Sequence, residues 1–180
     1  MKISALAVFC GSRSGNNPVY TQHAGALGRL LAQNNITLIY GGGSTGIMGT
    51  LADTMMEKKG KVIGVIPRLL LKWEHQHEGI TDLMVVEDMH TRKKRMYELC
   101  DAAVILPGGV GTLDELFEML TWNQLSIHDK PIYIMNSDGF FDHLIAHILQ
   151  LEKSGFLYEP AEKRITFLKS PEDLLPLIFN

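Results

Sequence analysis

Residues 102–115 read Ala102-Ala103-Val104-Ile105-Leu106-Pro107-Gly108-Gly109-Val110-Gly111-Thr112-Leu113-Asp114-Glu115. The run from Ala102 to Leu106 is apolar throughout rather than alternating, the pattern of a strand buried on both faces. A Pro-Gly-Gly turn follows, and beyond it Leu116, Met119 and Trp122 recur at helical spacing. A buried strand, a glycine turn and a helix form one βα unit of a parallel sheet covered by helices.

The same rhythm extends in both directions. Strands are expected over residues 3–9, 37–40, 61–66, 83–86, 102–106, 131–135 and, more weakly, 164–168. Helices are expected over 18–33, 46–59, 90–99, 112–126, 140–151 and 171–178. Ser170-Pro171 supplies an N-cap and a first-turn proline for the last of them. No repeat or linker divides the chain, so one α/β domain over residues 1–180 is expected. Residues 67–81 break the rhythm. They follow a strand, at the edge where open α/β sheets bind ligands.

Composition narrows the function. The 180 residues hold 17 Lys and Arg against 20 Asp and Glu, a net charge of −3, with 46% hydrophobic residues. That balance argues against a nucleic-acid polymer as partner, but a small anion needs only a local site. Cys10 and Cys100 form no disulfide framework. The N-terminal apolar run is too short for a membrane span and lacks a cleavage site. A cytoplasmic protein is expected, with no membrane partner.

Three glycine turns close expected strands: Cys10-Gly11-Ser12-Arg13-Ser14-Gly15, Gly41-Gly42-Gly43-Ser44-Thr45-Gly46, and Pro107-Gly108-Gly109-Val110-Gly111. Gly41, Gly43 and Gly46 satisfy the G-x-G-x-x-G pattern of dinucleotide sites. The next strand, however, ends in Pro67-Arg68 rather than in an acidic residue for a ribose hydroxyl. No G-K-[ST] follows, which excludes a P-loop. Glycine turns on one sheet edge bring backbone N–H groups to an anion, and suit a single phosphate with its sugar.

The candidate chemical groups each have two readings. Thr112-x-x-Glu115 fits a capping box, but Glu115 also suits a carboxylate beside a bound anion, able to stabilise an oxocarbenium-like centre or activate water. Asp114 points about 100° away around the helix. Arg92 belongs to the basic run Met89-His90-Thr91-Arg92-Lys93-Lys94-Arg95, either a solvated face or, near a helix start, a guanidinium aimed into the crevice. Glu74, His75, His77 and Glu78 lie in the irregular segment. We favour Glu74 as a hydroxyl or base contact, and expect no metal or cofactor. Leu116, Met119 and Trp122 suit core or dimer packing.

Phe9-Cys10-Gly11-Ser12, Gly41-Gly42-Gly43-x-x-Gly46-x-Met48-Gly49, Met89-His90-x-Arg92-Lys93, Pro107-Gly108-Gly109-x-Gly111-Thr112-x-x-Glu115 and Thr121-Trp122 together resemble the LONELY GUY (LOG) family in order along nearly the whole chain. The resemblance implies a Rossmann-like three-layer sandwich with a mainly parallel sheet, and a homodimer. The implied activity is hydrolysis of the N-glycosidic bond of N6-modified adenosine 5′-monophosphates, or AMP, to free base and ribose 5-phosphate. It implies Arg92 and Glu115 as the catalytic pair. The implied substrate contacts are Gly11, Ser12, Glu74, Lys93, Gly108, Gly109, Val110, Gly111, Thr112, Leu113, Asp114 and Thr121, with Gly43 and Ser44 at the phosphate. A lysine-decarboxylase label, often attached to similar sequences, would need a pyridoxal-binding lysine, and no lysine stands in such a context. A nucleotide-binding or sensing protein without turnover shares the same glycine turns and is the alternative. An NAD-dependent oxidoreductase is a weaker third.

Overall fold

The computed structural model describes residues 3–72 and 75–179. Its strands are β1 (Ala5–Phe9), β2 (Thr37–Tyr40), β3 (Val62–Pro67), β4 (Asp82–Val86), β5 (Ala102–Ile105), β6 (Ile132–Met135) and β7 (Ile165–Leu168). They form one sheet in the order β4-β3-β2-β1-β5-β6-β7, with every neighbouring pair parallel. The expected Rossmann-like α/β sandwich is present. β5 and β6 are buried at every position, while the edge strands β4 and β7 are partly exposed. An all-apolar run therefore marks the centre of the sheet and an interrupted one its edge.

Helices α1 (Pro18–Gln33) and α2 (Gly46–Glu57) cover one face, where Leu27, Leu31, Leu51 and Met55 pack on Leu6, Val8 and Leu38. Helices α3 (Met89–Leu99), α4 (Val110–Gln124) and α5 (Asp142–Lys153) cover the other, with Met96, Leu116, Met119 and Ile148 against Ala7, Ile39 and Ile105. The strand order reverses between β1 and β5. The connections leaving these neighbours turn to opposite faces, and a crevice opens between their carboxyl ends.

Element ends differ from expectation in instructive ways. α4 starts at Val110, with Gly109 as N-cap, so Thr112 is not the cap. The capping-box reading of Thr112-x-x-Glu115 is thereby replaced: glycines that look like turn residues form the helix entry. Pro176 lacks the N–H a continuous helix needs. The expected helix over 171–178 accordingly splits into a 3-10 turn, Pro171–Leu174, and the short α6 (Leu175–Ile178). Within the irregular segment, Arg68–Lys72 forms a 3-10 turn, and Gln76 pairs with Gly43 in an isolated antiparallel bridge. Among the described residues no helix is long and apolar enough to cross a membrane.

Asp101 ties the start of β1 to the residue before β5. Its Oδ2 accepts from Ser4 N (2.7 Å), Ser4 Oγ (2.9 Å) and Ala5 N (3.0 Å). Partial burial pushes its pKa up, but these hydrogen bonds outweigh that and hold it below the usual value. Asp101→Asn should cost about 1 kcal/mol at neutral pH, a reduced value because the carboxylate is partly solvated. A lowered pKa gives stability that is present above the unfolded-state value and lost as pH falls. The gap between wild type and variant, measured by urea unfolding, should therefore close with acidification through the carboxylate range.

Candidate active site

The crevice between β1 and β5 is a cavity of about 500 Å³. The turn after β1 supplies Cys10, Gly11, Ser12 and Arg13, and the turn after β5 supplies Pro107, Gly108 and Gly109. Two main-chain bonds staple these walls: Gly11 N donates to Pro107 O (3.0 Å), and Met48 N at the start of α2 donates to Gly11 O (3.2 Å).

The N-terminus of α4 opens into this cavity. Gly109 (φ −94°, ψ −156°) caps it without any side-chain hydrogen bond, and Val110, Gly111 and Thr112 line the same space. The first amides of a helix have no intrahelical acceptor and carry the positive end of its dipole. A Cβ added at Gly109 or Gly111 would meet nothing within 4 Å, so this backbone faces open space. The result is a site shaped for an anion such as phosphate.

Arg92 reaches the cavity from the first turn of α3, which Asp88 caps by accepting from Thr91 N at 2.7 Å. Only 6% exposed, Arg92 donates from Nε to Val65 O (3.0 Å) and from Nη2 to Gly41 O (3.3 Å). A Cβ at Gly41 would lie 2.2 Å from that Nη2. The first glycine of the G-x-G-x-x-G pattern thus makes room for a guanidinium. The last, Gly46, has φ +62° and abuts the Ser12 carbonyl. No dinucleotide function is needed to account for either.

Glu115 is 8% exposed and lines the same cavity from the second turn of α4. Burial pushes the Cys10 thiol far above its ordinary pKa; the Glu115 carboxylate adds to this and the Arg92 guanidinium opposes it. All three groups are therefore within electrostatic reach of one another at the carboxyl end of β1. Around them stand apolar residues: Tyr20, Ile47, Met48, Met89 and Phe140, with Tyr20 and Phe140 edge to face at 5.4 Å.

A scan against family models matches residues 48–178 to a family described as "possible lysine decarboxylase". Relatives cover nearly the whole chain. A cytokinin riboside 5′-monophosphate phosphoribohydrolase of Rhodococcoides fascians is 40% identical over 97% of this chain and 88% of its own. Its counterpart LOG1 of Arabidopsis thaliana is 41% identical over 97% and 82%. The chain belongs to the LOG family. Solved structures share the fold: the molybdenum cofactor binding protein of Rippkaea orientalis superposes with a TM-score of 0.73 at 23% identity, covering 99% of this chain and 96% of that one. As for the decarboxylase label, no lysine is among the described residues lining the cavity, whereas pyridoxal chemistry needs one for its Schiff base.

The structure brings together Gly11, Ser12, Arg92, Gly108–Thr112, Asp114 and Glu115. It leaves five other expected LOG positions outside the lining. Gly43 bridges to Gln76, and Ser44 gives both its N–H and its hydroxyl to His75 O (2.8 Å each), so the pair holds the irregular segment. Leu113 packs into the core. Lys93 lies in the α3–α4 seam. Thr121 is exposed on α4, bonded to Phe117 O at 2.7 Å. Glu74 lies outside the described residues. Sequence reasoning missed Tyr20, Met89 and Phe140; their signal was position at or just before the start of the helix that follows a strand.

Gly41→Ala should expel the guanidinium and leave buried carbonyls unpaired, costing about 2–3 kcal/mol. Urea unfolding would show it as a lowered midpoint, and an unchanged midpoint would contradict the packing described.

Proposed function

We propose that this protein hydrolyses the N-glycosidic bond of adenosine 5′-monophosphates, N6-modified or plain, releasing the free base and ribose 5-phosphate. One observation carries the proposal. Buried Arg92 and Glu115 line a single cavity with the uncapped N-terminus of α4. The phosphoribohydrolase names of relatives about 40% identical support it.

The chemistry follows from charge. The 5′-phosphate takes the amides of Gly109–Gly111, since the Thr112 amide already donates to Gly109 O (3.1 Å), and this fixes the ribose along the crevice. As the bond from C1′ to the base nitrogen lengthens, positive charge develops at C1′, and the Glu115 carboxylate stabilises it. Water adds its oxygen to C1′, Glu115 takes a proton from it, and the base leaves with the bonding electrons and acquires a proton. The Arg92 guanidinium orients the nucleotide and offsets charge building on the departing base. Tyr20, Met48, Met89 and Phe140 keep the site apolar enough for these charges to matter.

A homodimer belongs to the same proposal. Leu125 and Ile127, 58% and 60% exposed beyond α4, give an apolar face to bury. Thr121, on the adjoining exposed surface of α4, would then meet substrate only through a second copy.

The test is release of base from AMP and from isopentenyladenosine monophosphate by pure protein. Release from either is expected. Tight nucleotide binding without product would instead favour a sensing protein. Glu115→Gln should lower kcat by about 10²–10⁴-fold while nucleotide binding survives. A variant that unfolds would mean Glu115 serves structure.

A further inference from the structure

The α3–α4 seam holds a second set of charges that the chemistry above leaves unused. Lys93 Nζ lies 3.1 Å from Asp114 Oδ2 and 2.9 Å from Glu118 Oε2, with its side chain only 9% exposed. One turn along α3, the Tyr97 hydroxyl donates to Glu115 O (3.1 Å) and to Glu118 Oε2 (3.4 Å). The early turns of α4 thus gather Asp114, Glu115 and Glu118, and one ammonium balances two of them. Glu115 and Glu118 are i,i+3 neighbours, a spacing at which like charges repel. Burial alone would lower the Lys93 pKa, but hydrogen bonds and charge from Glu118 and Asp114 raise it above its ordinary value, so the ammonium persists.

We propose that Lys93 is a positioning residue: by neutralising Asp114 and Glu118 it keeps Glu115 ionised and directed at the cavity, and keeps their field off the anion site at the start of α4. The inference rests on the hydrolysis proposed above. Lys93 does not line the cavity, although its partner Asp114 does. Titratable and charged groups near Glu115 include Cys10 on β1, Arg92, Lys93 and Tyr97 on α3, and Asp114 and Glu118 on α4. Burial, reinforced by neighbouring carboxylates, holds the Cys10 thiol and the Tyr97 phenol protonated. Within the seam, Lys93 opposes the charges of Asp114 and Glu118 directly. Without the ammonium, Glu118, whose side chain is 21% exposed, would leave a largely buried negative charge beside the reacting carboxylate, while the more exposed Asp114 is partly screened by solvent.

The experiment is the pH dependence of kcat and kcat/KM for wild type, Lys93→Met, Lys93→Arg and the double variant Lys93→Met/Glu118→Gln. Without Lys93 the neighbouring carboxylates make Glu115 harder to ionise. The acidic limb of kcat/KM should then move to higher pH, and neutral kcat should fall by about 10-fold. Adding Glu118→Gln should reverse about half of the shift, and Lys93→Arg should rescue most activity. A Lys93 that touched substrate directly would give a raised KM, an unmoved limb and no rescue in the double variant, and that pattern would overturn the proposal. Should Lys93→Met not fold, Glu118→Gln alone decides: its limb should move to lower pH, and an unmoved limb overturns the idea. Should wild type release no base, the hydrolysis proposal fails separately. Carbon-13 NMR titration of Glu115 still tests Lys93, with a raised pKa in Lys93→Met expected and an unchanged one contrary.

Discussion

A buried guanidinium held by two main-chain carbonyls is the constraint around which the site is arranged. Removing Arg92 from water is expensive unless its N–H groups are satisfied. Val65 O and Gly41 O meet that need only because β2 and β3 are adjacent and parallel, so both chain ends arrive at the same height. A side chain at position 41 would occupy the space that Nη2 fills. Sheet order, a glycine and a buried cation are therefore one problem with one solution. A group fixed chiefly by backbone carbonyls keeps its place while substrate enters and product leaves.

The second constraint is electrostatic. A chain with net charge −3 has to attract an anionic nucleotide. In the proposed site the open end of α4 serves this need, where amides and dipole supply positive potential without basic residues. The same helix carries the carboxylate proposed to act on the sugar one turn later. Distance along a helix thus becomes distance along a nucleotide, from phosphate to anomeric carbon. The cost is three carboxylates crowded into the early turns of α4, which the buried ammonium of Lys93 offsets.

Much of this was legible in the residues. Apolar runs such as Ala102–Leu106 marked central strands because both faces are covered, and glycine turns marked the carboxyl edge where ligands bind. Arg92 and Glu115 were singled out by position at helix starts. What could not be read was three-dimensional accommodation. Gly41 and Gly46 matched a dinucleotide pattern, yet one clears a guanidinium and the other closes a turn, and only packing distinguishes these uses. Val110 and Gly111 looked like turn residues but form the first helical turn. Resemblance places Lys93 and Ser44 among substrate contacts, and the partners they also meet within the chain could not be read from sequence. Local sequence does not show which long side chain finds a partner 21 residues away.

The central claim is that phosphate sits on the first turn of α4 with the anomeric carbon between Arg92 and Glu115. A crystal structure of Glu115→Gln soaked with AMP tests it most directly. The account predicts phosphate oxygens on the amides of Gly109–Gly111, C1′ beside residue 115 and the base within reach of Arg92. A phosphate bound elsewhere, or a ribose turned away from residue 115, would contradict it.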